Sequence, residues 1–522
     1  MGTLLSSHHS KPYSAAHQIH LPNQHVVQLL LLFLPRTAGV QKLIMPPEKA
    51  RLVDIMSLLL LRRRVTSCNT LVDSGDQDRV LDNTPGDLLV ALTQLIQKAL
   101  AAAYYPAKWF GAVVEFLLNF VAVNGGLFGI IGSIMRCNLV IPLDRDAPNF
   151  RTVMALVDDR TELKPSPQEA ASELRQLWAK NSECTQGATF ELTVMAAKIA
   201  YENAAYIENV VANVWGFNFV GYYSCWNKFL EVSATQAFVM TDRGKDAGMV
   251  MVAFRGTQVF STQDWSTDVN LSWLRLGGMG HVHAGFLKAL GLQEEDGVDA
   301  ARAFPRDAPA VVPAGKVVAY YELRRVLREL LAEHPRARVV VTGHSLGGAL
   351  AVLFPAVLAL HGEGDILGRL RAVHTYGQPR VGDEAFVDFF QAKVAASYWR
   401  VVYRYDVVPR VPFDAPPVAG FSHGGTCVYY DGWYDGRVLG GEEVPNPNYI
   451  GLRHAPSMYR NALGDLLKAI FLWVKAGGEY HEGAVSLLYR GAIGMLVPGV
   501  ASHSPRDYVN AIRLGRIGTA AG

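Results

Sequence analysis

A layered α/β fold with a central, mostly parallel sheet follows from three features of the chain. Apolar β-branched runs alternate with helical apolar patterns from Thr189 onward, the order that builds strands covered by helices. One such run, Val339 to Thr342, breaks at Gly343 and passes into a helical pattern of Leu346, Ala349, Leu350 and Leu353. The residues at the junction, Gly343-His344-Ser345-Leu346-Gly347, fit the G-x-S-x-G elbow, where a strand turns sharply into a helix and lifts a serine above the sheet edge. Flanking glycines relieve the crowding around the strained serine, and the next backbone N–H points at the same reacting atom. The pentapeptide alone is also an ordinary glycine turn; the strand before it and the helix after it favour the elbow.

The 522 residues exceed one ordinary domain. Half of them are hydrophobic and the mean hydropathy is +0.12, an apolar excess that points to a membrane or lipid surface. A net charge of +2 supplies no field to steer nucleic acid. Cys68, Cys137, Cys184, Cys225 and Cys427 are scattered, odd in number and without C-x-x-C spacing. That pattern argues against a disulfide framework and a zinc site, and suits a reducing compartment.

In chain order, residues 1–45 read as a disordered or extraneous extension, rich at first in Ser and His. Its apolar run Val26 to Leu34 is like a signal h-region but lacks the positive charge and cleavage site of one. Residues 46–142 form an N-terminal region whose segment 88–135 carries only Lys98, Lys108 and Glu115 as charges. Pro106 and Asn124-Gly125-Gly126 interrupt that segment, so a hairpin or interfacial arrangement suits it better than a clean span. The alternative is a buried helical hairpin packed on the soluble part. Residues 143–188 read as a linker, 189–515 as the α/β domain with an apolar insertion at 461–500, and 516–522 as a tail.

Within the domain, Thr189 to Ala204 reads as an amphipathic helix. Gln236–Met240 and Met249–Phe254 form a hairpin whose second strand ends in Arg255-Gly256-Thr257. A small hydroxyl residue after a glycine at a strand end offers both N–H and O–H to a developing oxyanion, so Thr257 is a candidate donor with the Leu346 N–H. Ser261 to Leu276, with Trp265 and Trp273, reads either as a surface helix over an apolar cleft or as a loop. His283 reads as structural. Leu323, Val326, Leu327, Leu330 and Leu331 mark the helix before the elbow strand, and Leu370–Tyr376 and Tyr398–Tyr405 are the strands after it. Asp406 lies at the carboxyl end of the last of these, where active-site residues of such sheets gather.

A serine hydrolase of this layout needs Ser, then Asp, then His in chain order. His423 follows Asp406 too closely, and His481 has charged neighbours. His454 and His503 remain, each followed closely by a proline, and local chemistry does not choose between them.

The series Phe254-Arg255-Gly256-Thr257, Val282-His283-Ala284-Gly285-Phe286, Gly343 to Gly347, Thr375-Tyr376-Gly377-Gln378-Pro379-Arg380-Val381-Gly382 and Asp406-Val407-Val408-Pro409-Arg410 resembles class 3 lipases. These are α/β-hydrolases similar to the fungal triacylglycerol lipases. Pro47-Glu48-Lys49-Ala50, the apolar block ending in Val140-Ile141-Pro142 and the tail from His503 to Asn510 resemble the plant oil-body branch and extend the likeness to about residues 45–515. The resemblance implies Ser345 as nucleophile, Asp406 as orienting acid, Thr257 with the Leu346 N–H as oxyanion hole, and His503 as base, with Tyr508 shortly after it. The extra apolar stretch between Asn461 and Val500 is a departure that leaves His454 open. The implied activity is acylglycerol hydrolysis through an acyl-enzyme, without metal or organic cofactor, at a lipid-droplet or ER membrane surface on the cytosolic side. A phospholipase A or galactolipase with the same triad is one alternative, and a non-catalytic lipid-droplet coat protein another.

Overall fold

Among the described residues, nine strands form one sheet whose spatial order follows chain order. They are β1 (Asn218–Asn227), β2 (Val232–Thr241), β3 (Met249–Phe254), β4 (Arg338–His344), β5 (Leu370–Tyr376), β6 (Ser397–Tyr403), β7 (Thr426–Tyr430), β8 (Asp435–Leu439) and β9 (Arg516–Ile517). The pairings from β3 through β7 are parallel, as is β8 with β9, while β1–β2, β2–β3 and β7–β8 are antiparallel. The computed structural model describes residues 42–61, 71–73, 84–164, 166, 169, 188–295, 299–310, 312–412, 420–439, 444–445, 454–475 and 480–517. The extension up to residue 41, with its Val26–Leu34 run, and the last residues of the tail lie outside them.

Strand β3 is apolar at every position because both sheet faces are covered. Val339 and Val341 of β4 face one core, with Val250, Val252 and Phe254 of β3. That side is closed by α8 (Ala319–Glu333), α9 (Leu346–Leu360) and α10 (Glu384–Lys393). Val340 faces the other core with Met249, Met251 and Ala253, beneath α6 (Ala188–Ile199) and α13 (Pro505–Leu514).

Helix α6 departs from the amphipathic expectation: all its positions from Thr189 on are buried. Its polar residues have partners instead of water. Glu191 binds the Arg513 guanidinium at 2.6 Å, and Lys198 lies 3.3 Å from Asp158. The helix ends at Ile199, and Asn203 caps a new one by accepting the Tyr206 N–H at 2.8 Å. Residues 150–163, inside the span read as a linker, pack on this same layer, with Ala155 and Leu163 in its core and α5 (Val153–Val157) capped by Thr152.

Helix α2 (Thr84–Ala102) buries Val90, Ala91, Gln94 and Gln97 and packs on α1 (Leu52–Leu61) and α7 (Thr262–Asp268). Next come α3 (Tyr104–Val123) and α4 (Gly126–Met135). Pro106 sits in the first turn of α3, where its missing N–H costs nothing. The break after α3 falls at Gly125 and Gly126, with φ of 78° and 83°, a region that favours glycine. Trp109, Phe110, Val113, Leu117, Leu127, Phe128, Ile131 and Met135 are exposed, so these two helices are not the buried hairpin of the alternative reading. Among the described residues, α3 is the one helix long and apolar enough to cross a membrane. The insertion forms two further helices, α11 (Ala455–Lys475) and α12 (Ala484–Leu496).

The Glu191–Arg513 pair joins α6 to α13 with both side chains about 5% exposed. Arg513→Leu leaves the Glu191 carboxylate buried without its countercharge, and should cost about 3–5 kcal/mol. A lowered thermal unfolding temperature, partly restored in Glu191→Gln/Arg513→Leu, is the expected result. A single variant as stable as the parent would contradict it.

Candidate active site

Ser345 sits between β4 and α9 with φ 59° and ψ −132°, a conformation that side chains rarely adopt. A Cβ on Gly347 would collide with the Phe254 carbonyl of β3, and one on Gly343 with the backbone of Gly347. The two glycines let strand, turn and helix approach this closely, and the turn is fastened by the Ser345 N–H to the Tyr376 carbonyl at 2.9 Å. Pairing of Phe254 with Gly343 in the β3–β4 register brings Arg255-Gly256-Thr257 beside the elbow.

Asp406 follows the end of β6 and is fully buried. One carboxylate oxygen accepts the Val408 N–H at 2.8 Å; the other lies 2.7 Å from Nδ1 of His503 and accepts the Tyr508 hydroxyl. The Arg410 guanidinium, also buried, binds the Asp406 carbonyl and the carbonyls of Arg404 and Pro445. His503 ends a short 3₁₀ turn, Ala501–His503, just before α13. Its ring packs on that of His344, the neighbour of Ser345, with centroids 4.4 Å apart. Nε2 of His503 is buried and has no hydrogen-bond partner among the described residues.

The other histidines lie elsewhere. His454 is exposed at the start of α11. Nε2 of His423 is 2.6 Å from the Pro409 carbonyl, and that of His283 is 2.6 Å from the Asn270 carbonyl. His283 also caps the following helix, and burial pushes its imidazole down to about 4. His481 is 3.0 Å from Asp159.

Thr257 lies against an acid that sequence reasoning overlooked: its hydroxyl oxygen is 2.6 Å from Oδ2 of Asp268, at the end of α7. Burial raises the Asp268 carboxyl to about 8, against the opposing hydrogen bond to Thr257. The stretch read as a surface helix or a loop is therefore helix α7 followed by a short strand, Trp273–Arg275, in which Trp273 is buried. Burial, with His503 beside it, holds His344 well below the usual imidazole range, and its Nδ1 is 2.8 Å from the Tyr201 hydroxyl. Gly377 is the second omission: with φ 57°, it leaves room where a Cβ would meet His503 at 2.8 Å and Asp406 at 2.9 Å. Gly377 stood in a quoted motif, but nothing in the motif says what the glycine must clear. A cavity of about 230 Å³ lies between α3 and the segment after Thr257, lined by Tyr104, Lys108, Tyr201, Val259 and Phe260 among others.

The geometry can be set beside known proteins. Residues 251–415 match the family model described as Lipase (class 3). The chain is 36% identical over 500 residues to triacylglycerol lipase OBL1 of Nicotiana tabacum, covering 85% of this chain and 86% of that one. It is 37% identical over 453 residues to triacylglycerol lipase OBL1 of Ricinus communis, covering 81% of this chain and 85% of that protein. Among solved structures, a Rhizomucor miehei triacylglyceride lipase aligns at 25% identity with a TM-score of 0.34, covering 46% of this chain and 78% of the other. The extent of the match to the plant proteins, together with the family model across the elbow, shows that this chain belongs to the class 3 lipases and is a serine-type carboxylic ester hydrolase.

Proposed function

We propose that the protein hydrolyses acylglycerol esters, triacylglycerol among them, through a Ser345–His503–Asp406 triad at a lipid-droplet or ER membrane surface. The observation that carries this reading is the 2.7 Å contact between Asp406 and His503, 97 residues apart in the chain and beside the strained serine. The substrate class rests on the plant relatives, whose names state triacylglycerol lipase.

Asp406 binds Nδ1 of His503, which fixes the tautomer that leaves Nε2 as a proton acceptor. Nε2 takes the proton of Ser345, Oγ attacks the acyl carbonyl, and the alcohol leaves with the proton returned by the imidazole. Water, activated by the same nitrogen, then releases the fatty acid. Leu346 is the first residue of α9, so its N–H has no acceptor within the helix and is available to the oxyanion. Thr257 adds its hydroxyl when Asp268 is protonated, because the acid then donates to Oγ1 and leaves the threonine proton free. Once ionised, Asp268 captures that proton. The exposed apolar faces of α3 and α4 suit a lipid surface, with α11 contributing through Ile470, Phe471, Trp473 and Val474, and the cavity beside α3 offers a way from that surface toward the oxyanion segment.

Ser345→Ala should lower hydrolysis at least ~10³-fold with the fold intact, and His503→Ala about as much, because members of a triad act as a unit. His454→Ala should stay near the parent on the same ester. A dead His454 variant beside an active His503 variant would reverse the assignment, activity kept in both would point to another base, and a parent without hydrolysis would leave a non-catalytic coat. Parallel assays on acylglycerol, phospholipid and galactolipid decide the head group.

Thr257→Val should cost about 2.7–4 kcal/mol of transition-state stabilisation. Activity should also fall as pH rises through about 8, where Asp268 ionises, and that limb should vanish in Asp268→Asn, whose amide always donates. A limb unchanged in the asparagine variant would separate Asp268 from the oxyanion.

Deleting residues 104–135 removes the exposed helices and spares α2. A fluorescent fusion should then leave lipid droplets for the cytosol, and unchanged droplet targeting would place the anchor elsewhere.

A further inference from the structure

The α11–α12 hairpin has its polarity turned inside out. Along α12 the buried residues are Ser486, Arg490 and Gly494, whereas Leu488, Met495 and Leu496 are 72%, 61% and 74% exposed. Along α11 Asp465 is buried beside Met458 and Ala469, while Leu463, Leu467, Phe471 and Val474 line the outside at helical spacing. A helix that faces water carries the opposite arrangement.

The inward charges form a set of two ion-paired groups. Arg506 binds Glu482 at 2.7 Å and Asp507 at 2.9 Å; Arg490 binds Asp507 at 2.8 Å and Glu482 at 3.2 Å; Arg404 pairs with Asp465. Three arginines thus balance three carboxylates, which is how buried charges are tolerated. The set encloses the loop that carries His503. On one side of the histidine, the Ser502 hydroxyl donates to Asp465 of α11 at 3.3 Å. On the other, Arg506 and Asp507 are tied to Arg490 of α12 and to Glu482 just before it.

Two observations say what covers the outer face. Among the described residues of the hairpin, the exposed charges are Arg460 and Lys475, both cationic, whereas its acids Asp465 and Glu482 are buried. That balance suits an anionic lipid surface. Helix α5 packs against both α12 and α3, so the hairpin and α3 are neighbours across α5.

We propose that the hairpin is a lipid-contacting strut: its outer face enters the same lipid surface as α3 and α4, and its inner Arg490 and Glu482 act as positioning residues for His503. The inference rests on His503 being the base. It assigns to two helices both the contact with lipid and the placement of the imidazole.

The test uses the full chain, a water-soluble p-nitrophenyl butyrate assay, and flotation with phosphatidylcholine–phosphatidylserine vesicles. Arg490→Met and the milder Glu482→Gln should lower kcat by about 10- to 100-fold, the cost of a misplaced catalytic group, with KM and vesicle binding unchanged. Leu467→Ser/Leu488→Ser should weaken flotation by about tenfold or more without lowering the melting temperature. If Arg490→Met does not fold, Glu482→Gln carries the kinetic arm. Parental kcat in Glu482→Gln beside an inactive His503→Ala overturns the positioning role and leaves the base assignment standing; an active His503→Ala overturns the base assignment itself. Unchanged flotation of the serine double variant, or loss of self-association in its place, overturns the lipid contact.

Discussion

Close approach of three backbones at the elbow is the constraint on which the site depends. Helix α9 starts so near β3 that Gly347 has no room for a Cβ beneath the Phe254 carbonyl, and this closeness sets Ser345 and the Thr257 segment side by side. The strain of a left-handed serine costs of order 1–3 kcal/mol. It persists because both cores clamp the strand that leads into it, Val339 and Val341 from one side and Val340 from the other. Any loosening of either layer would let the serine relax into an ordinary turn.

Much of this was legible in the residues, for a physical reason. Strands covered on both faces carry apolar residues that point either way, so Leu370–Tyr376 has the bounds expected, and the elbow strand extends its expected run by a residue or two at each end. Glycines at a strand–helix junction have few other uses. Helix α6 was misread because a helix buried all round was taken for one that faces water. Its Glu191 and Lys198 look like a solvated face until their partners, Arg513 and Asp158, are brought in from distant parts of the chain.

The candidate site was legible as residue types at strand ends, and illegible wherever a long-range fold decides. Asp406 stands out by its place after β6. The choice between His454 and His503 needed the insertion's path, which local chemistry does not specify; two helices fold out and bring the chain back, leaving His454 exposed and His503 against the acid. Asp268 and Gly377 had no signal of their own, since an aspartate in a polar stretch and a glycine after a tyrosine are common. Only packing shows that one touches Thr257 and the other makes room for the imidazole.

The sheet's spatial order repeats its order in the chain, and this has a consequence for synthesis. Each strand made adds to the edge left by the one before it, so the sheet can grow as the ribosome delivers it. His503, with α13 and β9, comes after the other eight strands. The exposed apolar faces of α3 and α4 are made long before this histidine. On the proposed mechanism, a chain still under translation has the nucleophile and the acid but not the base, and cuts no ester until its histidine is made.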